Sequence, residues 1–222
     1  MGTKNSTSNT RAGDNSISNT RAGANYLSEA EEKKLWQTIK GRNGKQAARD
    51  FALLKTCRLT ALRRGEAIGL NVGDFSDNGI TVKEVLDVNV RLAKKGATGD
   101  VYIPQELRDI LTQFMSKKRK WGESLALDAP LFVSRKGTRM GARTFNDLMS
   151  KWCREAGISE YTPHALRHTK AQRIMADICN LIPEEQAKKL QFAAKQLRHK
   201  SFSSTMIYTA PNKEQMERVG GI

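Results

Sequence analysis

Three short stretches near the carboxyl end place polar side chains inside otherwise apolar helical patterns. They are residues 162–169, 197–199 and 204–209. In the first stretch, His164 and Arg167 are three positions apart, so a helix would present both on one face. In the other two, nine positions separate His199 from Tyr208, which leaves room for a turn and a second short helix. Arginine, histidine and tyrosine together indicate one kind of chemistry, in which a phenolic oxygen attacks a phosphate held by guanidinium groups.

The charge balance indicates the class of partner. The 222 residues include 38 Lys and Arg against 23 Asp and Glu, a net charge of +15. The first 26 residues contribute three cations and one anion, so +13 belongs to the remainder. Such a surplus predicts a polyanion held largely through its phosphates, with an affinity that falls steeply with salt. A basic protein with a solubilising surface, or one of the ribosomal type, is the alternative. Aromatic residues make up only 6% of the chain, which disfavours the stacking surfaces of single-strand and RNA binders, so duplex DNA is the predicted partner.

The apolar residues and the cysteines bear on the compartment. No apolar run approaches the length of a membrane span, and the amino terminus lacks the apolar core of a signal peptide, so a cytoplasmic protein is expected. Cys57, Cys153 and Cys179 are far apart and form no CxxC pair. Each lies in an apolar helical pattern, which favours buried free thiols over a structural zinc site.

The amino terminus carries a ten-residue repeat, at residues 5–14 and 15–24, in which eight of ten positions agree. A unit rich in Ser, Asn, Thr and Gly cannot bury a core. Residues 1–26 are therefore predicted to be a disordered tail, and residues 27–222 to form one domain.

The remainder is predicted to be mainly helical, with one small antiparallel sheet. Ser28 and Glu31 have the spacing of a capping box that begins the first helix. The second helix, residues 45–61, is apolar on most faces and is expected to be central and buried. Strands are expected at residues 79–83, 85–92 and 99–103, a turn at 71–74, and further helices at 65–70, 104–120, 144–156, 163–179, 183–197 and 203–208. The predicted fold class is α+β, mainly helical.

The chain resembles the tyrosine recombinase (phage integrase) family in four places that occur in the family's order. Residues 60–66, Thr-Ala-Leu-Arg-Arg-Gly-Glu, look like the first arginine box, and Lys94-Lys95-Gly96 looks like the lysine of a β-hairpin. The Thr-Pro-His-Ala-Leu-Arg-His stretch and the segment from Leu197 to Thr209 supply the other two. The resemblance covers roughly residues 27–211, and it implies the catalytic-domain fold of that family.

The resemblance also implies a role for each residue of the site. Two arginines would hold the phosphate, Tyr208 would attack it, and Lys95, with Lys94 as the alternative, would protonate the leaving oxygen. Two histidines would orient the phosphate and assist proton transfer, whereas His168 would only pack against the active-site helix. No cofactor and no metal ion are implied. The predicted catalytic residues are Arg63, Lys95, His164, Arg167, His199 and Tyr208.

Two features depart from the family pattern. Arg198 stands where the family usually has glycine, and the 32-residue interval from Arg167 to His199 is long, with residues 181–195 forming an inserted or extended helix. Members usually carry a core-binding domain ahead of the catalytic one, and the tail has no room for it. The short single-domain recombinases typified by fimbrial phase-variation invertases share that feature, and a piece of a longer integrase would explain it equally well.

The function that this resemblance implies is site-specific recombination of double-stranded DNA. A tetramer on two DNA sites, an accessory DNA-bending protein and a nucleoid-associated location in the cytoplasm would follow, without contact with a membrane. Two alternatives remain open at this point. One is a catalytically inactive recombinase-like regulator that binds DNA, and the other is a relaxing enzyme of the type IB topoisomerase kind.

Overall fold

The structure is a computed structural model, and it describes residues 25–93, 98–179, 181 and 183–198. This part of the chain forms a mainly helical domain with a two-stranded antiparallel sheet, which confirms the predicted fold class. The helices are α1 (Glu29–Lys40), α2 (Lys45–Thr60), α3 (Arg64–Gly69), α4 (Val72–Phe75), α5 (Gln105–Lys120), α6 (Ala142–Glu155), α7 (Pro163–Cys179) and α8 (Pro183–Leu197), and the strands are β1 (Val85–Val88) and β2 (Gly99–Tyr102).

Helix α2 is the centre of the domain, as its apolar pattern predicted. Its Ala52, Leu53, Leu54 and Cys57 are almost completely buried, and the helix packs against α1, α5 and α7. The polar Thr60 near its end donates its hydroxyl to the Thr56 carbonyl at 2.6 Å, so its burial leaves no donor unsatisfied. The end of α2 therefore lies inside the core with the Thr60 hydroxyl satisfied.

The first helix begins at the predicted capping box. The Ser28 hydroxyl accepts from the Glu31 backbone N–H at 3.3 Å, and the Glu31 carboxylate accepts from the Ser28 N–H at 2.9 Å. Just before this cap, the Leu27 N–H donates to the Thr169 hydroxyl of α7 at 2.9 Å. The start of the domain is thereby joined to α7.

The sheet is smaller than predicted. Strand β1 pairs with β2 in antiparallel register, with Leu86 opposite Val101. The prediction of a strand at residues 79–83 is wrong, because the Asn78 side chain accepts from the N–H groups of Ile80 at 2.9 Å and Thr81 at 2.8 Å. These local bonds and the left-handed Gly79 (φ +69°) fold the segment into bends.

Two other boundaries also differ from the predicted ones. The second predicted strand stops at Val88, since the Ala93 N–H donates to the Asn89 carbonyl at 2.9 Å and closes a turn. The turn predicted at residues 71–74 is largely the single helical turn α4, whose Asp74 carboxylate accepts from the Asn71 N–H at 2.7 Å. A carboxylate in this position caps a helix as readily as it closes a turn.

Several further predictions concern the thiols and the chain ends. Cys57 and Cys153 are buried free thiols, as predicted, and burial raises the pKa of both; the Cys179 side chain is outside the described part. No helix of the described residues is long and apolar enough to span a bilayer. Apart from residues 25 and 26, the predicted tail lies outside the described residues, and so does the predicted helix at 203–208.

Gly73 in α4 offers a test of this packing. A Cβ at Gly73 would lie 2.8 Å from the Leu127 carbonyl oxygen, so Gly73→Ala should lower the free energy of unfolding by about 1–3 kcal/mol. Gly65 in α3 is the matched control, because a Cβ there would meet nothing within 4 Å. Gly65→Ala should leave stability unchanged or raise it by up to about 1 kcal/mol. Urea unfolding of the two variants measures both effects, and equal midpoints would contradict this packing.

Candidate active site

The corner between α2 and α3 presents Arg63. Helix α2 ends at Thr60, and its C-cap Ala61 adopts the left-handed conformation (φ 56°) and donates its N–H to the Cys57 carbonyl at 3.0 Å. Leu62 is then buried, and Arg63 is extended (φ −69°, ψ 152°) as the N-cap of α3. The left-handed Ala61 therefore ends α2, and Arg63 begins the next helix directly after the buried Leu62.

Glu66, one turn into α3, holds Arg63 in place. Its Oε2 accepts from the Arg63 backbone N–H at 2.7 Å, and its Oε1 accepts from Arg63 Nη1 at 3.0 Å. The Glu66 side chain is completely buried, whereas 31% of the Arg63 side chain is exposed. One edge of this guanidinium is thus fixed to the protein, and the side chain stays accessible to a ligand.

Arg167 of α7 approaches the same corner from the other side. It is 4% exposed. Its Nη1 donates to the Ala61 carbonyl and its Nη2 donates to the Leu197 carbonyl. The guanidinium therefore connects the end of α2 to the end of α8. Its partner at the end of α2, Ala61, lies two residues before Arg63 in the chain.

His164 lies one turn before Arg167 on α7, with part of its side chain exposed and part packed against the protein. Its ring meets that of His168 edge to face, with centroids 4.5 Å apart. Burial, followed by the positive charges of Arg167, Arg63 and Arg64, lowers the pKa of His164 below its ordinary value near 6.5. The imidazole is consequently neutral at pH 7 and can accept a proton or donate its N–H.

His168 has a related environment, but Arg63 and Arg64 are not among the groups that lower its pKa. Burial, then His164 and Arg167, lower its pKa as well. Its ring packs against that of His164. The role of His168 as a packing residue stays a prediction.

The sequence did not reveal that Glu66 is also bound to Arg198. The Arg198 guanidinium donates through Nη2 to Glu66 Oε2, and both side chains are buried. Burial alone would raise the pKa of Glu66, but the hydrogen bonds from Arg198 and Arg63 outweigh it and leave the pKa lowered. The Glu66 carboxylate thus binds both guanidinium groups, and the three side chains together keep a net positive charge. Of these contacts, the sequence signals only the one between Arg63 and Glu66, through their spacing of three residues.

The remaining predicted site residues, Lys95, His199 and Tyr208, lie outside the described residues, as does Lys94. Of the six predicted residues, the structure therefore places three, Arg63, His164 and Arg167, and it brings these three together at the end of α2. Within the described ranges, no group of three or more His, Cys, Asp and Glu side chains could hold a metal ion.

A cavity of about 460 Å³ lies far from this site, at the start of α2. Lys45, Lys118 and Trp121 are among its lining residues, and the Lys118 ammonium is bound by Glu123 at 2.7 Å. Arg49 is the α2 residue of this lining nearest to Arg63 in the chain, so about 17 Å of helix separates the cavity from Arg63. The cavity does not belong to the candidate site.

Comparison with known proteins gives a consistent result. Residues 25–215 match the phage integrase family. Tyrosine recombinase XerC of Chromobacterium violaceum is 29% identical over 178 residues, covering 78% of this chain and 51% of the relative. The chain spans about half the length of the curated relatives it matches.

Solved structures show the same fold. The XerA recombinase has a TM-score of 0.65 at 23% identity, over 88% of this chain and 62% of that one. The XerH site-specific recombinase, in a post-cleavage complex with a palindromic difH substrate, has a TM-score of 0.67 at 21% identity, over 90% of this chain and 53% of that one.

The proximity of Arg63 to His164 predicts a selective change in histidine titration. In the Arg63→Gln variant, the His164 pKa should rise towards 6.5, because one of the positive charges that lower it is removed. The His168 pKa should change less, since Arg63 is not among the groups that lower it. NMR titration of the ring protons measures both values in one sample.

Arg154→Gln provides the control for net charge, because Arg154 lies in an exposed ion pair with Glu160. It should leave both histidine pKa values unchanged. An equal shift of His164 and His168 in the Arg63 variant would contradict the arrangement described above.

Proposed function

The chain belongs to the phage integrase family, and on this basis we propose that it is a site-specific DNA recombinase, which cuts and rejoins duplex DNA through a covalent 3′-phosphotyrosine. The observation that carries the proposal is the meeting of Arg63 and Arg167 with His164 at the end of α2. These residues come from two boxes about a hundred positions apart in the chain, yet they converge on one point. Two arginines at one place suit a phosphodiester, since guanidinium groups donate in pairs to its non-bridging oxygens.

In the proposed reaction, Tyr208 supplies the nucleophile. Its phenolic oxygen gives its proton to a histidine of the site, His164 or His199, and attacks the phosphorus. The bond from phosphorus to the 5′-oxygen breaks, and the 3′-phosphate stays attached to the tyrosine. Lys95, with Lys94 as the alternative, donates a proton to the departing 5′-oxygen. Because the phosphotyrosine conserves the energy of the broken bond, a 5′-hydroxyl can reverse the reaction and rejoin the strand.

Arg63 and Arg167 stabilise the charge that builds on the phosphate oxygens during this attack. Both guanidinium groups are fixed before DNA arrives, Arg63 by Glu66 and Arg167 by two main-chain carbonyls, so little reorganisation is needed when the charge develops. His164 and His199 complete the site by orienting the phosphate and assisting proton transfer. The neutral state of His164 at pH 7 suits that role. No step in this scheme uses a metal or a cofactor.

The wider organisation follows from the same proposal. Residues 27–222 form the catalytic domain and residues 1–26 a tail. Double-stranded DNA is the substrate, bound by the positive surplus of the chain, and recombination takes place in a tetramer on two DNA sites, with an accessory DNA-bending protein. The protein acts in the cytoplasm, associated with the nucleoid. The more specific resemblance to fimbrial phase-variation invertases stays a prediction.

Covalent trapping on DNA tests the proposal. A duplex would first be selected for binding from a randomised pool, and then nicked so that cleavage cannot be reversed. Without added metal, the wild-type protein should give an adduct that survives denaturant, and Tyr208→Phe should give none, because it lacks the attacking oxygen. Tyr26→Phe is the matched control, since Tyr26 precedes α1 and is outside the site, and it should react like the wild type.

The same assay tests the two arginines. Arg63→Gln and Arg167→Lys should each slow adduct formation by about 10²–10³-fold, because each removes donors to the developing charge, with a much smaller loss of DNA binding. The exposed Arg154→Gln should have little effect.

Three other results would argue against the proposal. Binding without any adduct would favour an inactive DNA-binding regulator. An adduct that remains in Tyr208→Phe would exclude this nucleophile, and relaxation of supercoils without pairing of two sites would favour a topoisomerase.

A further inference from the structure

Arg198 combines a strained backbone with a buried charge. It follows α8 and has φ 50°, in the left-handed region where a side chain costs roughly 1–2 kcal/mol and where helix ends usually carry glycine. Among the described residues, only Ala61 shares this conformation without being glycine. Glycine would satisfy the backbone better at position 198, so the side chain must contribute something that offsets this cost.

The Arg198 side chain is directed inward, to the carboxylate that fixes Arg63. Arg198 Nη2 donates to Glu66 Oε2, whereas Arg63 Nη1 donates to Oε1 of the same carboxylate at 3.0 Å. Only 3% of the Arg198 side chain is exposed, so solvent screens this ion pair very little. Arg198 and Arg63 therefore share one buried anion.

Sharing the carboxylate changes the charge that faces a phosphate. With Arg63 as its only partner, Glu66 would cancel the charge of Arg63. With Arg198 as a second partner, the three groups carry a net charge of +1, and Arg63, which is partly exposed, is the one that a ligand can reach. Arg198 thus neutralises Glu66 from inside the protein, and Glu66 can still hold Arg63 in place.

The end of α8 is also fixed against strand β2. The Gln196 side chain accepts from the Tyr102 N–H at 3.1 Å and donates to the Tyr102 carbonyl at 3.2 Å, as a neighbouring strand would. A Cβ at Gly99 would lie 3.8 Å from the Arg198 Cγ and Cδ atoms. Arg198 therefore lies between Glu66, which binds Arg63, and strand β2, which follows residues 94–97.

We propose that Arg198 is a positioning residue for DNA cleavage, which acts through Glu66 to orient Arg63 and to leave its positive charge available to the scissile phosphate. This inference rests on the proposed function. Arg198 need not touch DNA, and its contribution should disappear when Glu66 can no longer carry a charge.

A double-mutant cycle tests the route through Glu66. Arg198→Gly should slow single-turnover cleavage of the nicked duplex by about 10–100-fold, although it relieves the backbone, and Arg198→Lys should restore part of the rate because it keeps the charge. In a Glu66→Gln background, Arg198→Gly should change the rate by less than about threefold. Equal losses in both backgrounds would overturn the proposal.

The pH profile separates this role from a purely structural one. Arg198 holds the pKa of Glu66 down, so in Arg198→Gly that pKa rises and the carboxylate is protonated at a higher pH. The ratio of the wild-type rate to the Arg198→Gly rate should therefore vary across the pH range in which Glu66 titrates in the variant alone, whereas a purely structural loss would give the same ratio at every pH. The groups that interact with Glu66 are Arg63 beside it, Cys57 on α2 and Arg198 after α8. On α7, Arg167 donates to the Ala61 carbonyl, and His164 is within reach of the charge of Arg63.

Two controls accompany these measurements. Arg154→Gln removes the same charge from an exposed ion pair and should leave both rate and profile unchanged, and urea unfolding shows that each variant is folded. NMR of the His164 ring separates its titration from that of Glu66.

Measuring the Glu66 pKa tests the role of Arg198 independently of the proposed function. The carboxyl ¹³C shift should show the rise in Arg198→Gly whether or not the protein cleaves DNA. If the wild type forms no adduct on DNA that it binds, the proposed function fails. If the wild type reacts but the Glu66 pKa is unchanged in Arg198→Gly, only the role of Arg198 is overturned.

Discussion

The site depends on a single buried carboxylate that holds two arginines at the end of a core helix. Without Glu66, the charge of the buried Arg198 would have no anion beside it and would repel that of Arg63. Arg167 is held differently, by the carbonyl oxygens of Ala61 and Leu197, which carry partial negative charges. The protein thus assembles positive charge before a phosphate is present, which is the arrangement that stabilises a developing anion most effectively.

The left-handed residues and the arginine network are parts of one arrangement. Ala61 ends α2 and Arg198 follows α8, and the carbonyls that Arg167 binds belong to Ala61 and to Leu197, the residue before Arg198. A helix end exposes carbonyl groups that lack partners within the helix, so it is a natural place for a buried arginine. Two helix ends converge on one guanidinium, and the geometry of the backbone and that of the site are therefore set together.

Much of the fold could be predicted because its signals are local. The capping box of Ser28 and Glu31, the apolar faces of α2 and α6, and Pro163 at the start of α7 each act within a few residues. The strand at residues 79–83 failed for a reason that is also local, since the Asn78 side chain competes for the N–H groups a sheet would need. In contrast, the pair of Glu66 and Arg198 joins residues 132 positions apart, and no pattern along the chain reveals such a contact.

The central position of α2 bears on how this chain can evolve. The helix whose end presents Arg63 also contributes Ala52, Leu53 and Leu54 to the core, so a substitution that loosens the core also moves the arginine corner. Proteins with a catalytic group on a surface loop can exchange stability for activity at separate positions. Here the two properties share one helix, and a change in the ligand that the site accepts is expected to arise at the exposed periphery rather than in the packing beneath it.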